Sequence, residues 1–165
     1  MKYKFLPHTA DIKFQAFGKS LEEAFENSAL ALKEIMYKKL KVKEKIKKRI
    51  SVRGKDNERL LYDFLEEFLY LLDAEGFLLS KIKNIKITKI FITNKTKKIN
   101  KSKTEDNKDN KINNEKVYNY KLIAEVIGDN AKNYNFTNNV KAITYNNMFV
   151  KQEKDKYICQ VVVDV

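Results

Sequence analysis

The sequence of 165 residues has little of the chemistry that most catalytic and metal sites use. It contains four glycines, and none stands in a glycine-rich phosphate-binding loop. Its single histidine, His8, excludes the paired-histidine metal motifs, and no nucleophile elbow is present. One cysteine, Cys159, cannot form an internal disulfide, and it lies in an apolar strand pattern. We therefore expect it to be a small buried residue rather than a reactive thiol.

Long hydrophobic runs are also missing. No apolar segment approaches the roughly 18 residues that a membrane span needs, and the start of the chain has no extended apolar core. With 43% apolar and 12% aromatic residues, the composition is that of a globular protein long enough to bury a core. We expect a single domain over residues 1–165, soluble and cytoplasmic, with no membrane partner.

What the chain has in excess is positive charge, with a formal net charge of +12. Residues 38–55 hold ten lysines or arginines and one acid, and residues 95–116 hold eight lysines and four acids. The rest of the chain is close to neutral. No aromatic residues alternate with the basic ones in the way that base-stacking surfaces require. Solvated surface explains most of the excess, while an RNA-binding surface on residues 38–55 stays open as an alternative.

Apolar periodicity predicts two helices and about six strands. The first helix begins at Ser20, whose capping box includes Glu23, and the second is capped by Asp56 and stopped by Gly76. Strand patterns cover residues 11–17, 49–53, 77–92, 118–127, 140–145, 148–152 and 157–164, the last three read as a meander with a hairpin turn at residues 146–147. We expect an α+β domain in which two amphipathic helices cover one mostly antiparallel sheet.

Composition changes sharply at residues 94–119, which are rich in lysine and asparagine and contain no Phe, Leu or Met. Such a segment buries too little apolar surface to offset its ordering entropy. We interpret it as a disordered insertion between two strands. A tolerated surface loop is favoured over an arm that tethers tRNA.

Three polar residues are candidates for chemistry. Asp11 belongs to the cluster His8-Thr9-Ala10-Asp11 at the entry of a strand, and Asp164 lies beside the last residue, Val165. If the fold brings the two ends together, their carboxylates offer oxygen ligands to a hard cation. The alternatives are ordinary: His8 as a structural hydrogen-bonding residue, Asp11 as a turn former and Asp164 as a solvated chain end.

Five blocks of the chain resemble the archease family, in family order. The most distinctive are Pro-His-Thr-Ala-Asp-Ile at residues 7–12 and the segment at residues 16–32, and the others are residues 60–76, 140–145 and 161–165. These blocks span nearly the whole chain and leave the Lys/Asn-rich segment over as an insertion. Asn146-Asn147 stands where archeases commonly have His-Gly, and the family's usual histidine downstream of residues 128–129 is missing.

This resemblance implies a protein cofactor without catalytic activity of its own. Archeases assist the GTP-dependent RNA-splicing ligase of the RtcB type, which joins tRNA exon halves, by promoting ligase guanylylation and multiple turnover. The implied partner is therefore this ligase, with tRNA contacted indirectly or weakly. A basic RNA-binding module or RNA chaperone acting directly on tRNA is the first rival, and a metal-dependent hydrolase using Asp11, Asp164 and His8 is the second.

The resemblance also implies a site. The family's divalent-cation site, usually described with calcium, maps onto Asp11, Asp164 and the terminal carboxylate of Val165. Lys141 is a further functional position that would contact the partner or a phosphate, and His8 would support the ligands from outside. Anionic oxygen ligands of this kind suit calcium, with magnesium or manganese as alternatives, and do not suit zinc.

Overall fold

The computed structural model describes residues 1–92 and 117–165, which form two helices, seven strands and one 3-10 turn. The strands are β1 (Tyr3–Leu6), β2 (Ile12–Gly18), β3 (Ile46–Gly54), β4 (Phe77–Ile92), β5 (Val117–Asn130), β6 (Ala142–Glu153) and β7 (Lys156–Asp164). The helices are α1 (Leu21–Tyr37), after β2, and α2 (Asn57–Glu75), after β3. The predicted α+β class is confirmed.

Both helices begin at the predicted caps. The Ser20 hydroxyl accepts a hydrogen bond from the Glu23 amide at 3.1 Å, and an Asp56 carboxylate oxygen accepts one from the Arg59 amide at 2.7 Å. Gly76 ends α2 in the left-handed conformation with φ 58°, which an L side chain adopts only at a cost. Local sequence thus determines where each helix starts and where α2 stops.

The strands form two antiparallel sheets, which corrects the prediction of one sheet of about six strands. Strand order is β1-β2-β7-β6 in the first sheet and β3-β5-β4 in the second. The meander predicted for residues 140–145, 148–152 and 157–164 is reduced to one hairpin, because the first two segments belong to the single strand β6, which pairs with β7. Strand β1 was not predicted, since four residues at a sheet edge give little pattern to detect.

The two sheets share one core through the helices. Helix α1 packs on β2 and β4, and α2 packs on β3 and β6, so each helix contacts both sheets. At the centre, the rings of Phe25 and Phe64 are fully buried with centroids 6.0 Å apart. Cys159 is also fully buried, as predicted, beneath these helices in β7.

Residues 140–152 do not form the predicted hairpin at Asn146-Asn147. Residues 142–152 belong to one strand, β6, because Thr144 pairs with Val162 and Phe149 pairs with Gln160 on the same neighbour, β7. The residues between them loop out as a bulge. Asn147 does take the positive φ of 53° that the turn prediction required, and its carbonyl accepts a hydrogen bond from the side-chain Nε2 of Gln160 at 2.8 Å. The same local conformation therefore serves a bulge instead of a turn.

The predicted insertion at residues 94–119 lies almost entirely outside the described residues. Its last part, from Val117 onward, belongs to β5, which pairs with β4 through Val117 and Ile92. The segment thus connects two neighbouring strands of the three-stranded sheet.

Candidate functional site

Strand topology brings the two ends of the chain together. Ile12 at the start of β2 pairs with Val163 near the end of β7, and Ala142 at the start of β6 pairs with Asp164. Asp11 directly precedes Ile12 and Asp164 directly follows Val163, so the two aspartates lie side by side at the same end of neighbouring strands. We call the group formed by Asp11, Asp164 and Val165 the carboxylate edge. Both aspartates are partly exposed, with 29% and 45% of their side-chain surfaces accessible.

Lys141 lies directly against the carboxylate edge. Its amide donates a hydrogen bond to the Asp164 carbonyl at 2.9 Å, which fixes its backbone beside β7. Its ammonium Nζ donates to the main-chain oxygen of Val165 at 3.0 Å and lies 3.8 Å from an Asp164 carboxylate oxygen. Because 68% of the Lys141 side chain is accessible, this ion pair is solvated, and the ammonium is free to move to another anion.

His8 reaches the same edge from the loop between β1 and β2. Its Nδ1 lies 3.9 Å from an Asp11 carboxylate oxygen, too far for a hydrogen bond. Among the described residues, this buried Nδ1 has no hydrogen-bond partner. A buried polar atom without a partner is costly, so this nitrogen lowers the stability of the loop instead of adding to it.

The chemistry of the donors fits a hard divalent cation. Asp11 and Asp164 supply carboxylate oxygens and Val165 supplies a main-chain oxygen, the ligand types that calcium prefers. In the described part of the chain, no three His, Cys, Asp or Glu side chains gather as a metal-binding group. A cation held at this edge would therefore need the Val165 oxygen beside the two aspartates. The Lys141 ammonium holds the position of a counter-cation at these oxygens.

Sequence reasoning missed one residue that positions this edge. Glu66 of α2 accepts a hydrogen bond from the Ile143 amide at 3.2 Å, two residues after Lys141 in β6. The bond ties the start of β6 to the helix. No pattern in the sequence indicates it, because the contact depends on how α2 packs across the strand.

A second group on the same strand was also missed. Tyr145, in the bulge of β6, stacks on Tyr62 of α2 with ring centroids 4.3 Å apart and planes 4° apart. Arg59 lies over the Tyr62 ring at 5.8 Å and pairs with Asp63 at 2.7 Å. Half of Tyr145 is exposed, so this stack forms part of the surface of the molecule.

Comparison with known proteins decides the family. The model of the Archease protein family (MTH1598/TM1083) matches residues 3–165. The chain belongs to the archease family. Protein archease of Methanosarcina barkeri is 32% identical over 168 residues, covering 99% of this chain and 96% of that protein. The predicted family resemblance is therefore confirmed.

Solved archease structures share the fold. The solution structure of Methanobacterium thermoautotrophicum protein 1598 matches with a TM-score of 0.69 and 27% identity, covering 99% of each chain. An archease from Thermotoga maritima, described as a possible chaperone, matches with a TM-score of 0.54 and 20% identity over 98% of this chain and 96% of its own. Neither helix in the described part of this archease has the length and apolar composition that crossing a bilayer requires.

Proposed function

We propose that this archease is a non-catalytic activator of an RtcB-type RNA-splicing ligase in tRNA splicing. It promotes guanylylation of the ligase by GTP and thereby allows repeated turnover in the cytoplasm. The observation that carries the proposal is the meeting of Asp11, Asp164, Val165 and Lys141 at one edge of a chain that belongs to the archease family.

The carboxylate edge is suited to a positioning role. Asp11, Asp164 and Val165 lie at the ends of paired strands, and the backbone hydrogen bonds between these strands keep the three residues next to one another before a partner arrives. Asp11, Asp164 and Val165 would hold a divalent cation, most simply calcium. When bound, the ion supplies positive charge that neutralises phosphate oxygens.

Lys141 is the residue of the site that would contact an anionic group of the ligase. In the absence of another anion, its ammonium pairs with Val165 and Asp164. A phosphate or an acidic side chain of the ligase is a stronger ligand for this solvated lysine, because charge-assisted hydrogen bonds to phosphate are short and strong. Release of Lys141 frees the carboxylate oxygens at the moment when the ligase docks.

A multiple-turnover ligation assay tests this proposal. The ligase, GTP, a divalent metal and excess RNA halves are incubated with and without this archease, and product per ligase is counted. We expect strong stimulation by the wild type and none by Asp11→Ala. Asp155→Ala is the matched control, since Asp155 is an exposed aspartate in the turn at the far end of the β6–β7 hairpin.

Three outcomes separate the alternatives. Equal loss of stimulation in both variants would contradict a role for the carboxylate edge. No stimulation by the wild type would remove the ligase-activating function altogether. Turnover of GTP by the archease alone would favour the hydrolase class instead.

A further inference from the structure

The outward face of the three-stranded sheet carries an unusual concentration of positive charge. Strand register places its side chains in four rows that run across β3, β5 and β4, and residues in one row lie on the same face. The rows are Lys47-Ile127-Lys81, Arg49-Glu125-Lys83, Ser51-Ile123-Lys86 and Arg53-Lys121-Thr88. We call the surface formed by these four rows the basic face. It holds seven cations and one acid.

This face is turned to solvent. The residues that alternate with the rows, such as Ile50, Leu122 and Val126, are buried in the core beneath α2. By contrast, 64% of the Lys47 side chain is accessible, and a shallow groove of about 610 Å³ runs along the face between β3 and β4.

Few of the cations are paired. Lys47 contacts Glu125 at 2.9 Å, and Lys81 contacts Glu44 in the loop before β3. Arg49, Lys83 and Lys86 are exposed and make no ion pair with the described residues. The charge therefore remains available for an external anion.

The arrangement indicates a partner with regularly spaced negative charges. Neighbouring strands lie about 4.8 Å apart, and outward residues on one strand repeat at about 6.7 Å. The cations of β3 and β4 thus form two lines about 10 Å apart, one about 20 Å long on β3 and one about 13 Å long on β4. Between them, Ile123 and Ile127 offer no charge, and no aromatic ring among the described residues of the four rows is available to stack a base. Contacts to phosphates, without base readout, fit such a surface.

We propose that the basic face binds the phosphate backbone of a nucleic-acid helix. This proposal does not depend on the proposed action on the ligase, which uses the carboxylate edge. If that action is correct, the nucleic-acid helix belongs to a structured RNA. The surface is not the basic run at residues 38–55 that the sequence suggested. It takes Lys47, Arg49 and Arg53 from that run and four lysines from elsewhere, while Lys48 turns to the other side and pairs with Glu75.

The experiment measures binding of fluorescent tRNA by anisotropy between 50 and 200 mM salt. The variant Arg49→Gln/Lys83→Gln/Lys86→Gln removes three exposed cations from the basic face. The control Lys19→Gln/Lys39→Gln/Lys41→Gln removes the same charge from exposed turns and loops, including two lysines of the 38–55 run. Circular dichroism and thermal unfolding establish that both variants fold as the wild type does.

Each phosphate contact contributes about 0.7 to 0.9 to the slope of log affinity against log salt. We expect the face variant to bind about tenfold or more weakly at low salt, with a slope smaller by roughly 2 to 3. The control should stay within about twofold of the wild type. A 20-base-pair DNA duplex in place of tRNA should show the same dependence on the face.

Equal weakening in the two variants would overturn the proposal, since it would assign binding to net charge alone. Absence of binding to both nucleic acids, or binding to anionic phosphatidylserine vesicles in their place, would overturn it as well. Ligase guanylylation measured without RNA should be the same with the face variant and the wild type. If the wild type fails to stimulate guanylylation, the proposed function is contradicted, but binding of nucleic acid by the basic face is not.

Discussion

The clearest test of the candidate site is removal of the Lys141 charge. Its ammonium donates a hydrogen bond to the Val165 oxygen at 3.0 Å and lies 3.8 Å from Asp164, the oxygens proposed to hold a cation. Lys141→Gln keeps a similar length and removes the positive charge. An exposed ion pair of this kind stabilises the fold by no more than about 1 kcal/mol, so the variant should fold normally.

Lys141→Gln should strengthen cation binding, and by more than it weakens the fold. A doubly charged ion sharing these oxygens would lie about 5 Å from the ammonium, and their repulsion in water, reduced by salt, is about 1 to 2 kcal/mol. Lys141→Gln should therefore bind calcium roughly five- to thirtyfold more tightly than the wild type.

Isothermal titration with calcium chloride at 0.15 M salt measures this difference. Lys156→Gln is the control, because Lys156 begins β7 and lies roughly 25 Å along the strand from Asp164. Its calcium affinity should match that of the wild type. Unchanged or weaker calcium binding in Lys141→Gln would show that the Lys141 ammonium does not lie close to the bound cation.

Two further predictions concern the fold. Gly128→Ala should lower the free energy of unfolding by about 2 kcal/mol or more, because an added Cβ would lie 1.8 Å from the Leu78 carbonyl oxygen. Gly76→Ala, at φ 58° and with only an ordinary contact of its Cβ to Asn130 Oδ1 at 3.9 Å, should lower it by only about 1 kcal/mol, and urea unfolding compares the two variants. Equal costs would contradict this close approach of β5 to β4. Burial raises the pKa of the Cys159 thiol from about 9 to about 12, so across this window the unfolded chain releases a proton that the folded chain keeps. The free energy of unfolding should fall as pH rises from 9 to 12, and less steeply in Cys159→Ala; parallel pH profiles would argue against the shift.

Local signals in the sequence account for much of the fold. Ser20 and Asp56 determine where the helices start by accepting hydrogen bonds with their side chains, and Gly76 ends α2 through its backbone conformation. Strand β4 occupies the predicted residues. Asn147 was correctly expected at positive φ, but a hairpin turn and a bulge can both place a residue in this conformation. Only the pairing of β6 with β7 distinguishes them, and pairing is decided by distant residues.

The number of sheets and the two surfaces could not be predicted in this way. The family resemblance pointed to Asp11, Asp164, Val165, Lys141 and His8, and the structure brings these residues to one edge. The basic face was missed, because its charges come from three strands that lie far apart in the chain. Lys48 and Arg49 are adjacent in sequence yet point to opposite sides of the sheet. Charge runs read along the sequence therefore do not predict charged surfaces.

The proposed activation of the ligase depends on the carboxylate edge. The most direct measurement is transfer of labelled GMP from GTP to the ligase in the absence of RNA, with wild-type archease, Asp11→Asn, Asp164→Asn and the Asp155→Asn control. We expect the wild type and the control to accelerate guanylylation equally and both edge variants to leave it at the rate without archease. Full acceleration by the edge variants, with their folds intact, would contradict this dependence.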